Sequence, residues 1–238
     1  MFKWLHSALV FFLVTSIVSQ AQEVTGNINL GYSTFSFNSF KEFQHELANS
    51  YPVGTKVVDA FPGYLNYSAG VQILYSSFYF GILGGHTSTG GRISYADYSG
   101  YIKSDQLISA NYLGSMIAKK IFERKKLCFY VGADVLNYFN KVVFKEVDQV
   151  GSKTNSSQLQ FHSSNLAFGG FIELQRRSKK IIFKSNVGWE LQLSGDLKFD
   201  GNSNQHLVNS SGQNVKINTG GLRTSIGIGY LFTQGKQQ

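Results

Sequence analysis

The segment "IIFKSNVGWELQLSGDLKFD", residues 181–200, carries the pattern that decides the fold. Eight of the ten odd positions in 181–199 are apolar, whereas eight of the nine even positions are polar or glycine. Successive side chains of a strand point to opposite faces, so this period of two predicts a strand with one apolar face. A helix would spread the odd positions around its circumference. The predicted strand is much longer than the five or six residues common in soluble sheets.

The same alternation recurs in seven further segments and gives eight predicted strands. The connections between them alternate between short turns, such as "ERKK" and "RRSKK", and longer loops, the first of which covers about 36–62. An even number of antiparallel strands with tight turns at one end and longer loops at the other is typical of outer-membrane barrels. The further segments are 24–34, 64–75, 78–87, 106–121, 127–140, 166–174 and 222–232.

These features predict an all-β fold, an eight-stranded antiparallel transmembrane β-barrel with up-and-down meander topology. Its apolar face would meet lipid and its polar face would point inward, since about 9–11 tilted residues cross a bilayer. The alternative is a soluble lipocalin-like barrel or a β-sandwich, in which the apolar face points inward. Such strands are usually shorter, and a chain of this size normally has more proline-rich turns or a disulfide.

The N-terminal residues 1–21 have the features of a secretory signal peptide. Lys3 is followed by an apolar run over 8–18 and by small residues at Ser19 and Ala21, which predicts cleavage after Ala21. The apolar run is too short for a membrane anchor, which needs about 18 residues. We therefore expect export to the cell outer membrane, a barrel over 22–232 and a short tail over 233–238.

The composition restricts the possible functions. Cys128 is the single cysteine, so no internal disulfide can form. The formal net charge is +8, but the basic residues are scattered or lie in short turns, which favours a solvated face beside a membrane over nucleic-acid binding. The five histidines have no His or Cys partner at metal-ligand spacing, and no phosphate loop occurs. We expect no metal, no cofactor and a monomer.

The last predicted strand is where a family resemblance enters. "LRTSIGIGYLF", residues 222–232, ends aromatic-x-Phe with Tyr230 and Phe232, and resembles the signal that outer-membrane barrels present to the barrel-assembly machinery. It departs from that signal because "TQGKQQ" follows. With the signal peptide and the eight strands, the whole chain after residue 21 resembles the small porin-like outer-membrane β-barrel proteins, especially those of Bacteroidetes. The resemblance implies location and architecture, with outer-membrane lipids, lipopolysaccharide and the assembly machinery as partners.

The motif "HSSN" at 162–165 resembles the His-x-Ser-Asn strand motif of outer-membrane lipid A 3-O-deacylases. In that family the His and Ser face lipid, and an acidic residue on the neighbouring strand orients the His. His162 and Ser164 would face outward here. The acid is missing, because Glu190 and Glu173 have the opposite parity. We therefore expect a non-enzymatic protein and keep the deacylase as a minority alternative.

The predicted inward positions carry charges that must be paired in a narrow interior. An eight-stranded barrel is just wide enough for side chains to fill it, so a closed, polar, salt-bridged interior is favoured over a narrow gated porin. Folding about 200–213 places 223 opposite 190 and predicts an Arg223–Glu190 contact, with Lys184 or Asp134 as further partners. The predicted interior network is Asp134, Glu173, Lys184, Glu190 and Arg223.

The first long loop contains an amphipathic helical pattern, since Phe40, Phe43 and Leu47 fall at i, i+3 and i+7. The helix could cap the barrel mouth, rest at the lipid interface or dock a partner, and capping is the most modest expectation. The favoured function is that of a small structural or surface protein of the outer membrane.

Overall fold

A computed structural model describes residues 23–193 and 195–234. The predicted signal peptide and its cleavage site lie outside the described residues, as do the last four residues of the predicted tail. No helix in the described part of the chain combines the length and hydropathy that crossing a bilayer requires.

Eight long strands and several shorter elements make up the fold. The long strands are β1 (Glu23–Ser33), β3 (Tyr64–Tyr75), β4 (Phe78–Asp97), β5 (Gly100–Arg124), β6 (Leu127–Val150), β7 (Lys153–Ser178), β8 (Ile181–Gln192) and β13 (Gly221–Gln234). The shorter elements are α1 (Asn38–Ser50), β2 (Lys56–Ala60), β9 (Gly195–Asp196), β10 (Lys198–Phe199), β11 (Asn202–His206) and β12 (Lys216–Ile217).

The long strands form a closed antiparallel ring. From β3 to β8, each long strand pairs with the next one along the chain. The last strand, β13, pairs with β8 on one side and with β1 on the other, and β1 pairs with β3. Closure leaves no free edge in the ring. The predicted eight-stranded barrel is confirmed.

The segment 181–199 was predicted to be one strand, but the structure divides it into several elements. β8 ends at Gln192. Its neighbour β13 begins at Gly221 opposite Glu190, so residues beyond 192 lose their partner on that side. The chain then leaves the ring: β9 pairs with β12, and β10 pairs with β7. The alternation continues beyond the strand because Leu197 is buried among apolar residues that include Phe40 of the helix and Ile217 of β12.

Strands β4 to β7 are longer than predicted and extend beyond the ring at one end. They contain 20, 25, 24 and 26 residues. The end of the barrel with this extension, the helix and the long connections is called the loop end below. The opposite end, which has three two-residue turns, is called the turn end.

Each of the three turns begins with a non-glycine residue in the left-handed region. Ser76, Lys125 and Lys179 have φ angles of 56°, 58° and 55°. This conformation is costly for residues with a Cβ, and tight hairpins adopt it because it matches the twist of the paired strands.

Apolar side chains fill the barrel in three clusters along its axis. The turn-end cluster contains Tyr79, Ala118, Cys128, Tyr130 and Phe171, and the middle cluster contains Ala110, Leu136, Tyr138 and Ala167. The loop-end cluster contains Phe37, Phe40, Phe61, Ile108, Val142, Phe144, Phe161, Leu197, Val215 and Ile217. The interior therefore holds apolar layers in addition to the polar residues that the sequence pattern predicted.

The predicted helix is present as α1 and packs on the extension. Phe40 is fully buried, and its ring centroid lies 5.9 Å from that of Phe144 on the inner face of β6. Phe43 and Leu47 pack against the same loop-end cluster. Gln44 is also buried and donates from Nε2 to the carbonyl of Asp59 at 2.9 Å. The helix thus covers the inner face of the extension at the loop end.

Candidate functional site

A belt of exposed apolar side chains surrounds the ring on its outer face. Each ring strand contributes outward residues that are 40–71% exposed. Soluble monomers rarely expose contiguous apolar patches above a few hundred Å². The belt includes Ile28, Leu30, Tyr67, Val71, Phe80, Ile82, Leu113, Ile117, Val131, Val135, Phe168, Ile172, Phe183, Val187, Trp189, Ile226, Ile228 and Tyr230.

Aromatic residues lie toward both borders of the belt. Tyr75 and Phe78 flank a turn at the turn end, and Trp189 lies one residue before Glu190 near the loop end. Aromatic rings at both borders are characteristic of membrane-spanning barrels, because their amphipathic rings suit the interface. Tyr230 and Phe232 both face outward, with ring centroids 5.4 Å apart.

The interior contains the predicted contact between Arg223 and Glu190. Arg223 Nη2 lies 3.2 Å from Glu190 Oε2, and both side chains are largely buried. Tyr138 donates its hydroxyl to the same carboxylate oxygen at 2.6 Å. The register differs from the prediction by two residues, since Gly221 is opposite Glu190. The long arginine side chain spans this offset.

Arg223 has further acceptors that the sequence did not indicate. Its Nη1 donates to the carbonyl of Thr34 at 2.7 Å, and its Nη2 donates to the carbonyl of Thr219. Its guanidinium carbon lies 5.5 Å from the ring centroid of Phe35. Arg223 therefore connects β13 to β8 and to the chain that leaves β1 at the loop end.

The predicted partners Lys184 and Asp134 do not extend this contact. Lys184 is six residues before Glu190 on β8, about 20 Å along a strand, and it donates to Gln72 instead. Asp134 lies two strands away from Glu190 in the same row, and its Oδ1 has no hydrogen-bond partner among the described residues.

Glu173 belongs to a separate group near the turn end. Its Oε1 accepts from the Tyr79 hydroxyl at 3.2 Å and from Gln175 Nε2 at 2.6 Å. Glu173 forms no ion pair with Lys184 in the part of the chain that the structure describes. The interior charges thus form separate groups and not the single network expected.

A second arginine–glutamate pair lies at the turn end. Arg177 Nη1 donates to Glu23 Oε1 at 2.6 Å, and Nη2 contacts Oε2 of the same carboxylate. The pair joins β7 to β1, which are separated in the ring by β8 and β13, so it crosses the lumen. The sequence pattern did not indicate this pair, because the predicted strands began at 24 and ended at 174. The inward parity of odd positions on both strands would have placed both side chains in the lumen, but it would not have shown that they meet.

The motif at 162–165 lies on β7 toward the loop end, with Ser163 and Asn165 buried on the inner face. His162 and Ser164 both face outward, as expected. An acidic neighbour, which the predicted strand pairing did not supply, is present: Asp200 Oδ1 lies 3.5 Å from His162 Nδ1. Asp200 reaches this position because β10, and not β8 as expected, pairs with this part of β7. Ser164 donates its hydroxyl to Asn137 Oδ1 at 3.2 Å.

Within the described residues, no group of three His, Cys, Asp or Glu side chains could hold a metal ion.

Comparisons with known proteins yield structural similarities of low identity. No family model and no curated protein matches the chain. The crystal structure of Neisserial surface protein A aligns with a TM-score of 0.39 at 8% identity, covering 87% of this chain and 96% of that one. Ail, the attachment invasion locus protein of Yersinia pestis, aligns with a TM-score of 0.34 at 13% identity, covering 88% and 99%. Similarities at this level do not assign a family, and the barrel rests on its own strand pairing.

Proposed function

We propose that this protein is a small, monomeric outer-membrane β-barrel of the Bacteroidetes type, with a structural or surface role. The continuous apolar belt around a closed ring carries the proposal. Such a belt is costly in water, whereas hydrocarbon accommodates it, and the closed ring gives every spanning strand a pairing partner on both sides. The aromatic residues at both borders of the belt support the same location.

A closed interior is part of the proposal. Three apolar clusters and the pairs Arg223–Glu190 and Arg177–Glu23 occupy the lumen from the loop end to the turn end. An eight-stranded barrel leaves no standing aqueous channel once side chains fill it. The alternative is a narrow gated porin, in which these pairs would separate to open a path.

Fractionation and gel mobility test the location. We expect the protein in the outer-membrane fraction, with a faster-migrating band in unheated detergent samples that shifts on boiling. Recovery in the soluble periplasmic fraction without heat-modifiable mobility would contradict the proposal.

Planar-bilayer recordings separate the closed barrel from the porin. The closed barrel should show little or no stable conductance. Large, long-lived channels from a heat-modifiable sample would support the porin instead.

A second candidate function is hydrolysis of an acyl ester in a membrane lipid. The specific observation that favours it is Asp200 beside His162, on the outer face and two residues from Ser164. A carboxylate that orients a histidine next to a serine is the arrangement that activates a serine nucleophile. Catalysis would require the Ser164 hydroxyl to turn from Asn137 toward the imidazole.

Mass spectrometry of lipid A from expressing cells tests this candidate. Loss of one acyl chain, abolished by His162→Ala, Ser164→Ala and Asp200→Asn, would establish the hydrolase. Ser115→Ala, an outward serine on β5, is the matched control. Unchanged lipid A in cells that contain the folded barrel would exclude the activity.

Tyr230 and Phe232 are proposed to contact the barrel-assembly machinery. Their outward position at the turn-end border leaves both rings accessible while the barrel forms. Phe232→Ala should lower the amount of heat-modifiable protein in the membrane, while Ile226→Ala, on the same face, should not.

A further inference from the structure

Basic residues form an outward row at the loop end, directly above the apolar belt. Lys141 on β6 is opposite His162 on β7, and His162 is opposite Lys198 on β10. Directly opposed residues share a face and lie about 5 Å apart between Cβ atoms. These three residues are called the lysine row below. Lys141 and Lys198 are exposed.

The row lacks sufficient acidic partners. Asp200 contacts His162, whereas Lys141 and Lys198 form no ion pair within the described residues. Lys141 and Lys198 are not on neighbouring strands; His162 on β7 lies between them, and their two positive charges repel each other across it. Nothing in the fold requires two lysines here, because the side chains contact solvent and not the core. An anion between them would remove the repulsion.

A groove adjoins the row on the outer face of the extension. Its volume is about 660 Å³. Leu107 and Val143 line it beside Lys141, and Lys145 lies two positions farther along β6 from Val143. Arg92 also lines the groove but is already paired with Asp105 at 2.5 Å. The lining also contains Asp59 and Asp105. Asp105 is paired with Arg92 and Lys103 and lies directly opposite Lys145, so Lys141 is the basic lining residue without an acidic partner in the described part of the chain.

The position of the row relates it to the membrane. Lys141 is one outward step beyond Phe139, an apolar outward residue that is 52% exposed, and His162 is two outward steps beyond Leu166. One outward step is about 6.6 Å along a strand, and the headgroup layer beside the hydrocarbon core is about 5–7 Å thick. The lysine row therefore falls at headgroup depth. The described loop-end halves of β8, β13, β1 and β3 present no charged side chain on their outer face, so the cationic surface is one-sided.

We propose that the lysine row and the adjoining groove bind the phosphorylated headgroup of a lipid in the surrounding leaflet. Lys141 and Lys198 lie on either side of His162, about 10 Å apart at the backbone, and their flexible stems can converge on one phosphate. Leu107 and Val143 would contact the apolar part of the same lipid. This inference rests on the proposed membrane location and is independent of hydrolysis at Ser164.

Native mass spectrometry of the protein purified in detergent tests the site, with lipid A, phosphatidylcholine and inorganic pyrophosphate as probes. We expect at least about tenfold preference for lipid A over phosphatidylcholine. Lys141→Gln with Lys198→Gln should reduce lipid A affinity about tenfold or more, because each removes one basic group at the membrane surface. Lys125→Gln with Lys180→Gln, an equal charge change in the turns, should alter affinity less than twofold.

Three results would overturn the inference: equal binding of inorganic pyrophosphate and lipid A, unchanged affinity in the first double variant, or an equal loss in the control. Heat-modifiable mobility is measured for every sample. It distinguishes a failure of the lipid-site proposal from a failure of the proposed membrane location. A barrel that is heat-modifiable without lipid preference contradicts the lipid site alone. A protein without heat-modifiable mobility contradicts the membrane location on which the site depends.

Discussion

At the scale of single residues, Arg223 has more hydrogen-bond partners outside the ion pair than Glu190 has. Arg223 has two backbone carbonyls besides Glu190 as acceptors, whereas Glu190 has the Tyr138 hydroxyl besides Arg223. Arg223→Met leaves a buried carboxylate with one neutral donor. Glu190→Gln leaves an arginine that still has its carbonyl acceptors. The first substitution should therefore cost more stability than the second.

We expect Arg223→Met to lower the free energy of unfolding by about 3–5 kcal/mol and Glu190→Gln to lower it by less. The double variant should lose roughly 1–3 kcal/mol less than the sum, because no lone buried charge remains. Urea unfolding in detergent micelles measures all three. The matched control is Arg92→Met, which breaks a partly exposed pair, leaves Asp105 its contact with Lys103 and should cost about 1 kcal/mol or less. Additive losses would show that the two side chains do not interact.

The turn residue Lys179 provides a second prediction at this scale. Its φ of 55° lies in the left-handed region, where β-branched residues are especially unfavourable. Lys179→Val should destabilise the barrel by about 1–2 kcal/mol, and Lys179→Gly should leave stability unchanged or raise it by up to about 1 kcal/mol. Lys180→Val, in the same turn at a position without positive φ, is the control. Equal effects of the two valine variants would argue against backbone strain at Lys179.

At the scale of elements, a tyrosine joins the α1 segment to the extension. Tyr51, directly after α1, donates its hydroxyl to Glu146 Oε1 on β6 at 2.8 Å. Burial, reinforced by the Glu146 carboxylate, raises the pKa of Tyr51 to about 12. The hydroxyl thus stays protonated in the folded state beyond the pH at which a free tyrosine ionises, about 10.

The sign of the resulting pH dependence follows from the raised pKa. The neutral hydroxyl is favoured in the folded state, so its contribution is fully present below about pH 10 and is lost as the pH rises toward 12. Tyr51→Phe should increase amide hydrogen exchange in 38–51 at pH 7 and should weaken the pH dependence of that exchange above pH 10. Tyr98→Phe, at a fully exposed tyrosine, is the control. Unchanged exchange in Tyr51→Phe would show that α1 is held by its apolar face alone.

At the scale of the whole molecule, the ring and its cap are separable. Ser33 at the end of β1 is opposite Tyr64 at the start of β3, so a short linker could join these strands directly. Replacing 37–61 with a Gly-Ser linker removes α1, β2 and the rings of Phe37, Phe40 and Phe61 from the loop-end cluster. The eight ring strands and the two inner clusters remain.

We expect this shortened protein to keep heat-modifiable mobility and to remain non-conducting in planar bilayers. The middle and turn-end clusters still fill the lumen, and Arg177 still pairs with Glu23 across it. Its thermal midpoint should fall, because inward Phe144 and Phe161 lose their cover. Stable channels in the shortened protein, and none in the full chain, would assign α1 the role of the barrier.

The sequence determined the ring and the orientation of its faces. Period-two alternation depends on strand geometry alone, so it indicated eight strands and correctly assigned Arg223 and Glu190 inward and His162 and Ser164 outward. The ends of the strands could not be predicted from the pattern, because the alternation persists beyond the residue at which pairing stops. Leu191 faces outward on β8, whereas Leu197, six residues later, is buried beneath α1.

Tertiary structure decided which polar groups meet. Arg177 reaches Glu23 across the lumen, and Asp200 reaches His162 because the chain leaves the ring after Gln192 and pairs with β7. Neither contact joins residues on neighbouring ring strands, so parity and turn counting could not locate them. The physical reason is that alternation specifies only a face for each side chain. Where two faces meet depends on closure of the ring and on the path of the long connections, which no local pattern encodes.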